Sequence, residues 1–122
     1  MKTYSFEKLE AWIEARRFST AIYELTSGFP REEIFGITSQ MRRAAISVNC
    51  NISEGVSRVS PKEQARYTEI AFGSLMEVLN LIIICQDLGY ITKDQETTYR
   101  ADVEKLSKKL SNLRKDQLGR VV

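Results

Sequence analysis

Histidine is absent from this 122-residue chain, and that absence excludes more than any residue present suggests. Imidazole is the usual proton acceptor near neutral pH and the commonest borderline metal ligand. Without it no Ser–His or Cys–His nucleophile can be assembled. The Glu-x-x-His motif of carboxylate di-metal bundles cannot be written either, although Glu69, Glu77 and Asn80 lie in one helical segment. Cysteine is scarce: Cys50 and Cys85 are far apart and form no CxxC pair, whereas a tetrahedral zinc site wants four Cys or His ligands. Buried free thiols are the expectation, in keeping with a reducing compartment. No GxxxxGK[ST], GxGxxG or GxSxG segment occurs, so phosphate loops and a nucleophile elbow are excluded. The expectation is a protein that is not an enzyme and needs no cofactor.

Long apolar runs are lacking too. The N-terminus MKTYSFEKLEAW has no signal-peptide core, and the most apolar run, LNLIIIC at Leu79 to Cys85, is too short to cross a bilayer. A cytoplasmic protein with no membrane role is expected. Strand-like alternation, internal repeats and low-complexity linkers are also missing, and the length suits one domain over residues 1–122. Charge of one sign does not dominate: 18 Lys and Arg face 16 Asp and Glu, giving +2 and a pI of about 8.6. That permits an acidic partner and falls short of a dedicated nucleic-acid binder.

What is present is helical periodicity. Ser5 is placed to cap a first helix over about 6–27, with Phe6, Leu9, Ile13, Phe18, Ile22 and Leu25 roughly on one face. Gly28 and Pro30 break the chain there, with Phe29 as an apolar plug across the bundle end. A second helix is predicted over about 34–57 on the stripe Ile34, Ile37, Met41, Ala45, Val48 and Ile52, with Glu32 and Glu33 at its positive end. Gly55 marks either its termination or a close approach to another helix. Ser60, Pro61 and Glu63 form a capping box for a third helix, which Gly89 ends near Leu88. Its stretch AFGSLMEVLNLIIIC is apolar nearly all the way round, which points to a central position or a subunit interface. A fourth helix after Thr92 carries Tyr99, Val103, Leu106, Leu110 and Leu113 at near-heptad spacing. Short connections favour an all-α, antiparallel up-down-up-down four-helix bundle.

Few residues carry polar specification. Arg42 and Arg43 lie off the apolar stripe of the second helix and read either as phosphate contacts or as a structural ion pair and solvated face. Lys105, Lys108, Lys109, Arg114 and Lys115 decorate the fourth helix, with Glu104 placed to pair with Lys108. A symmetric oligomer would repeat this patch and sum its field. The plainer reading is a solvated face. Asn51 and Glu54 can share one surface, and Glu54 is spaced to pair with Arg58. Their expected part is to fix the junction of the second and third helices or an interface register. Gly73, Ser74 and Ala71 read as small residues that let helices approach closely.

The segments FEKLEAW, TSGFPREEIFGITSQMRRAA, NISEG at Asn51 to Gly55, IAFGSLMEVLN at Ile70 to Asn80 and LGYI at Leu88 to Ile91 together cover nearly all the chain before the last helix. In combination they resemble the small family of four helix bundle proteins, or 23S rRNA intervening-sequence proteins. The resemblance implies an up-and-down bundle assembled as a homo-oligomeric ring, typically a pentamer. It also implies a nucleic-acid-associated role: some family genes lie in intervening sequences of 23S rRNA genes, and related bundles are basic accessory factors of diversity-generating retroelements. The family's recurring polar positions fall on Gln40, Arg42, Arg43, Asn51, Glu54, Gly55, Gly73, Ser74 and Glu77. Two departures stand out. Ile13 follows Trp12 where the family usually has Gln. Asn49 and Cys50 precede the NISEG motif where a proline is frequent, so an uninterrupted second helix is expected. Three function classes follow: an RNA or ribonucleoprotein accessory scaffold, a protein-binding structural ring with no nucleic-acid role, and a small-molecule or metal bundle.

Overall fold

Serine followed by proline gives this sequence its clearest helix start. Ser60 Oγ accepts from Glu63 N–H, and the longest helix, α3, runs Pro61–Asp87. The computed structural model describes residues 1–121, with α1 at Glu10–Thr26, α2 at Ile37–Val56 and α4 at Lys93–Leu118. Thr92 and Gln95 form a reciprocal capping box at the start of α4. Gly89 takes a positive φ of 79° after α3, a conformation that favours glycine because it has no Cβ to clash. Short 3-10 turns precede α1 at Ser5–Lys8 and α2 at Arg31–Glu33.

Helices adjacent in sequence pack against one another, and α4 closes back on α1, whereas the backbones of α2 and α4 do not approach closely. The two are therefore diagonal in an up-down-up-down bundle. Antiparallel register between α2 and α3 is visible in three contacts that run in opposite senses along the two helices. Met41 Sδ meets Cys85 Sγ at 3.7 Å, Ser47 Oγ meets Ser74 Oγ at 2.9 Å, and Gly55 lies against Tyr67. Ile22, Met41, Val48, Ile52, Leu75, Val78, Ile82, Leu106 and Leu110 are almost wholly removed from water. At roughly 1.5–3 kcal/mol for each large side chain buried, this contiguous core supplies the main driving force for folding. Cys85 lies within it, and burial, with a smaller effect from the Glu33 charge, pushes its thiol up to about 11.

The two ends of the bundle are tied by polar contacts. Tyr90 O–H donates to Glu33 Oε2 at 2.7 Å, and Ile37 N–H donates to Glu33 Oε1 at 3.4 Å. Glu33 thus joins the α3–α4 connection to the positive end of α2. Phe29 packs on Tyr90 with ring centroids 5.6 Å apart, as a plug at this end. Toward the other end, Thr68 Oγ1 donates to Gln117 Oε1 at 2.7 Å inside the bundle.

Several sequence expectations are corrected. The first helix begins at Glu10 because Ser5–Lys8 forms a separate 3-10 turn, and Glu7, reached by Tyr4 N–H at 2.7 Å, orders that turn in place of a Ser5 cap. Phe6, Leu9 and Ile13 are only half-buried, and Ala11 and Ala15 take the core positions. α2 starts three residues late, because Arg31–Glu33 forms a 3-10 turn and Gly36 leaves helical geometry. Ile34 is accordingly exposed. Once begun, α2 runs unbroken through Asn49 and Cys50, as the missing proline implies. The apolar character of α3 extends well beyond the short run Leu79–Cys85. The whole of α3 is long and apolar enough to cross a bilayer by length and composition, with a mean hydropathy of 1.7 in its best window, and 39% of that window is buried by the bundle.

Candidate nucleic-acid interface

The two adjacent arginines of α2 separate by function because successive helical residues point about 100° apart. Arg42 turns toward α1. Its Nε donates to Thr26 Oγ1 at 2.8 Å, its Nη2 donates to the Tyr23 carbonyl at 3.2 Å, and its guanidinium lies 4.5 Å from the Tyr23 ring centroid. These carbonyl and hydroxyl acceptors belong to the last turn of α1, where a cation is favoured by the helix dipole. Arg42 is a clamp between α1 and α2. Arg43 points outward, is exposed, and has no carboxylate within ion-pair distance among the described residues.

On α4 the expected basic patch is interleaved with acid. Lys105 Nζ lies 3.3 Å from Glu14, Lys109 Nζ 3.1 Å from Glu10, and Arg114 Nε 2.7 Å from Glu69. Lys108 pairs with Glu104 at 3.6 Å, as their spacing predicts. Lys115 is exposed and has no such partner among the described residues. The sequence hides the cross-helix pairs because Glu10, Glu14 and Glu69 are remote in number. Exposed pairs of this kind contribute roughly 0–1 kcal/mol, so a phosphate can displace them, but the field they leave is weak. Nor do the α2 arginines join the α4 cations. The helices are diagonal, and Arg42 meets α1 at Thr26 while Lys109 meets it at Glu10, about 24 Å apart along that helix by its rise per residue.

The polar cluster on α2 and α3 divides likewise. Asn51 Nδ2 donates to Ser47 O at 2.8 Å and to Ser47 Oγ at 3.0 Å, and Ser47 meets Ser74. The Ser47–Ser74 contact crosses the α2–α3 seam, and Asn51 holds Ser47 from within α2. Glu54 does not take part. Its expected partner Arg58 donates to Tyr67 Oη at 2.6 Å and stacks over that ring at 4.7 Å. Gln40, Glu54 and Glu77 are exposed. Gly55 is a close-approach glycine, since a Cβ there would lie 2.8 Å from Tyr67 Cβ and 3.3 Å from Gln64 O. Gly73 faces outward, with nothing within 4 Å of where a Cβ would sit, so no other helix of this chain approaches it closely.

Other contacts were not singled out by sequence reasoning. Ser19 Oγ bonds Ala45 O at 3.2 Å and the Asn49 side chain at 2.6 Å, locking α1 to α2. Glu96 is buried under Lys93 and Arg100, at 3.2 and 3.5 Å. Trp12 is half-buried, with Phe6 edge-on at 5.1 Å and Arg16 over its ring at 5.5 Å. An aromatic four residues before an arginine on a helix is a readable signal for such a stack. Among the described residues no group of three or more His, Cys, Asp and Glu could hold a metal ion.

Comparison with known proteins bears on the fold and the family. A solved structure from Bacteroides thetaiotaomicron, described as a protein of unknown function from the S23 ribosomal protein family, superposes with a TM-score of 0.79 at 22% identity. The match covers 86% of this chain and 98% of that one. At that identity it shows the shared four-helix fold. No curated protein matches the chain. The family model described as 23S rRNA-intervening sequence protein matches residues 7–112, which takes in all four helices short of the end of α4, and so the chain belongs to the 23S rRNA-intervening sequence protein family.

Proposed function

We propose that this protein is a non-enzymatic accessory or scaffold protein that associates with RNA or a ribonucleoprotein, acting in the cytoplasm as a homo-oligomeric ring, with five subunits as the favoured number. Membership in a family described by the 23S rRNA intervening sequence carries the RNA reading. The outward face of α3 supports self-assembly. Ile70 and Ile84, with Leu88 at the C-cap, are exposed along one side of α3, where Gly73 leaves an open approach, whereas Phe72 is exposed on the opposite flank beside α4. Apolar side chains gathered on one helix face mark association surfaces. Arg43 and Lys115 are the phosphate contacts favoured among the α2 and α4 cations, and Lys105, Lys108, Lys109 and Arg114 join them only by exchanging a carboxylate for a phosphate.

The test is binding of a generic single-stranded RNA as salt is raised, with native mass measured in parallel. Phosphate contact gives a log–log salt slope of roughly −0.7 for each phosphate neutralised on a single strand. Charge reversal at Arg43 and Lys115 should weaken binding with little sequence dependence. Absence of binding at low salt refutes the RNA reading, and a native mass of one chain refutes the ring. The ion pairing along α4 favours a second reading, a protein-binding structural ring with no nucleic-acid role, and partner capture by the assembled ring would follow a negative RNA result.

A further inference from the structure

We propose that a cleft on the outer face of α1 receives one nucleotide of single-stranded RNA, whose base stacks on the Arg16 guanidinium. The proposal rests on the RNA reading above and names a site for it that the α2 and α4 cations do not provide. Thr3 and Glu7 of the N-terminal segment line the same cleft as Trp12, Arg16 and Thr20 of α1, so the segment folds back along the helix and forms a wall. The cleft is open to solvent and offers about 640 Å³, a volume within the range of small-ligand sites, roughly 300–1,000 Å³.

Among the described residues three arginines lie over aromatic rings, and they differ in what their donors do. Arg42, over Tyr23, is bonded to Thr26 and the Tyr23 carbonyl. Arg58, over Tyr67, is bonded to Tyr67 Oη. Arg16, over Trp12 at 5.5 Å, makes no side-chain hydrogen bond or ion pair among the described residues, and it is exposed. A guanidinium positioned over an indole with its donors unbonded can offer a planar face to a base and a fork of donors to a phosphate. Stacking on arginine and aromatic groups is how sequence-tolerant single-strand binders hold bases. Arg17 stands beside it, although paired with Glu14 at 3.2 Å. Glu7 and Glu24 also line the cleft. As carboxylates they repel phosphates and accept hydrogen bonds from exocyclic amines and ribose hydroxyls, so the backbone is directed to the Arg16 and Arg17 side.

Trp12 is the one tryptophan of the chain, so its fluorescence reports on this cleft alone. The full-length protein is titrated with a ten-nucleotide oligocytidylate at low salt while tryptophan emission and fraction of RNA bound are followed together. The expected result is saturable quenching that tracks binding, with affinity falling about tenfold in Arg16→Ala, the order of one lost base stack. Arg16→Lys should restore the salt dependence without restoring the affinity. Arg16 is solvent-facing, so an unchanged thermal melt of the variants verifies their folding. RNA binding with unchanged emission and full affinity in Arg16→Ala overturns the site and leaves the RNA reading intact. No binding by the wild-type chain overturns both.

Discussion

Gly73 lies in the middle of α3 and Gly55 in the last turn of α2, and helix propensity alone gives Gly→Ala the same sign at each, a gain of up to about 1 kcal/mol. The tertiary structure separates them. At Gly73 the added methyl meets nothing within 4 Å, so Gly73→Ala should stabilise the fold by about 0.5–1 kcal/mol. At Gly55 the methyl would come to 2.8 Å from Tyr67 Cβ and 3.3 Å from the Gln64 carbonyl. Neither is the free end of a flexible side chain, so α2 and α3 must move apart where Arg58 and Tyr67 join them. Overpacking of this kind costs roughly 1–3 kcal/mol, which exceeds the propensity gain and leaves a net loss of about 1 kcal/mol. The two variants should therefore differ by about 2 kcal/mol, or roughly 8 °C in Tm for a domain of this size. Thermal and urea melts at matched protein concentration measure the gap. A Gly55→Ala protein as stable as Gly73→Ala would refute the close-approach account. Repeating the melts over a concentration series adds a check on self-assembly. A second copy seated on the outer face of α3 would meet the Gly73→Ala methyl, and the gain over wild type would then shrink as concentration rises.

Arg42→Ala should destabilise the protein by about 1–2 kcal/mol, because two hydrogen bonds and a ring contact are lost, whereas Arg43→Ala should leave the melt unchanged; equal effects would refute the clamp. Thr68→Val strands the Gln117 oxygen in the core and should cost about 1–3 kcal/mol, while Thr68→Val with Gln117→Leu should recover most of that loss, as a double-mutant cycle in urea would show. The neutral Cys85 thiol is favoured by folding, so its contribution is whole below the ordinary thiol value of 9.0 and is lost as pH rises from there toward about 11. Urea midpoints should fall across that window, with Tyr90 and Tyr99, also raised, adding to the fall above about pH 10, and Cys85→Ala should remove the thiol's share of the slope. Under native conditions a thiol reagent should modify exposed Cys50 at once and Cys85 only on unfolding.

Local signals in the sequence located the helices well where the chemistry was local. Ser60 with Pro61, Thr92 with Gln95, and Gly89 each satisfy orphan backbone groups or permit a backbone angle within a few residues, so they read correctly from the string. The starts of α1 and α2 did not, because two short 3-10 turns compete with helix for the same residues, the first ordered by Glu7 at Tyr4 N–H and the second held by Glu33 to Tyr90, 57 residues away. The candidate site fared as its interactions are distributed. Glu104 and Lys108 are four residues apart and their pairing was legible. Lys105 with Glu14, Lys109 with Glu10 and Arg114 with Glu69 join different helices, so a stripe of lysines looked like free charge until α1 and α3 were set beside α4. By itself the sequence determined an all-α bundle of four amphipathic helices without histidine chemistry, because periodicity, caps and composition are properties of neighbouring residues. Only the tertiary structure decided which cations are neutralised, which glycine is crowded, and that Arg16 stands on Trp12 with its donors free, because charge pairing and close approach are set by distances between helices that no spacing along the chain encodes.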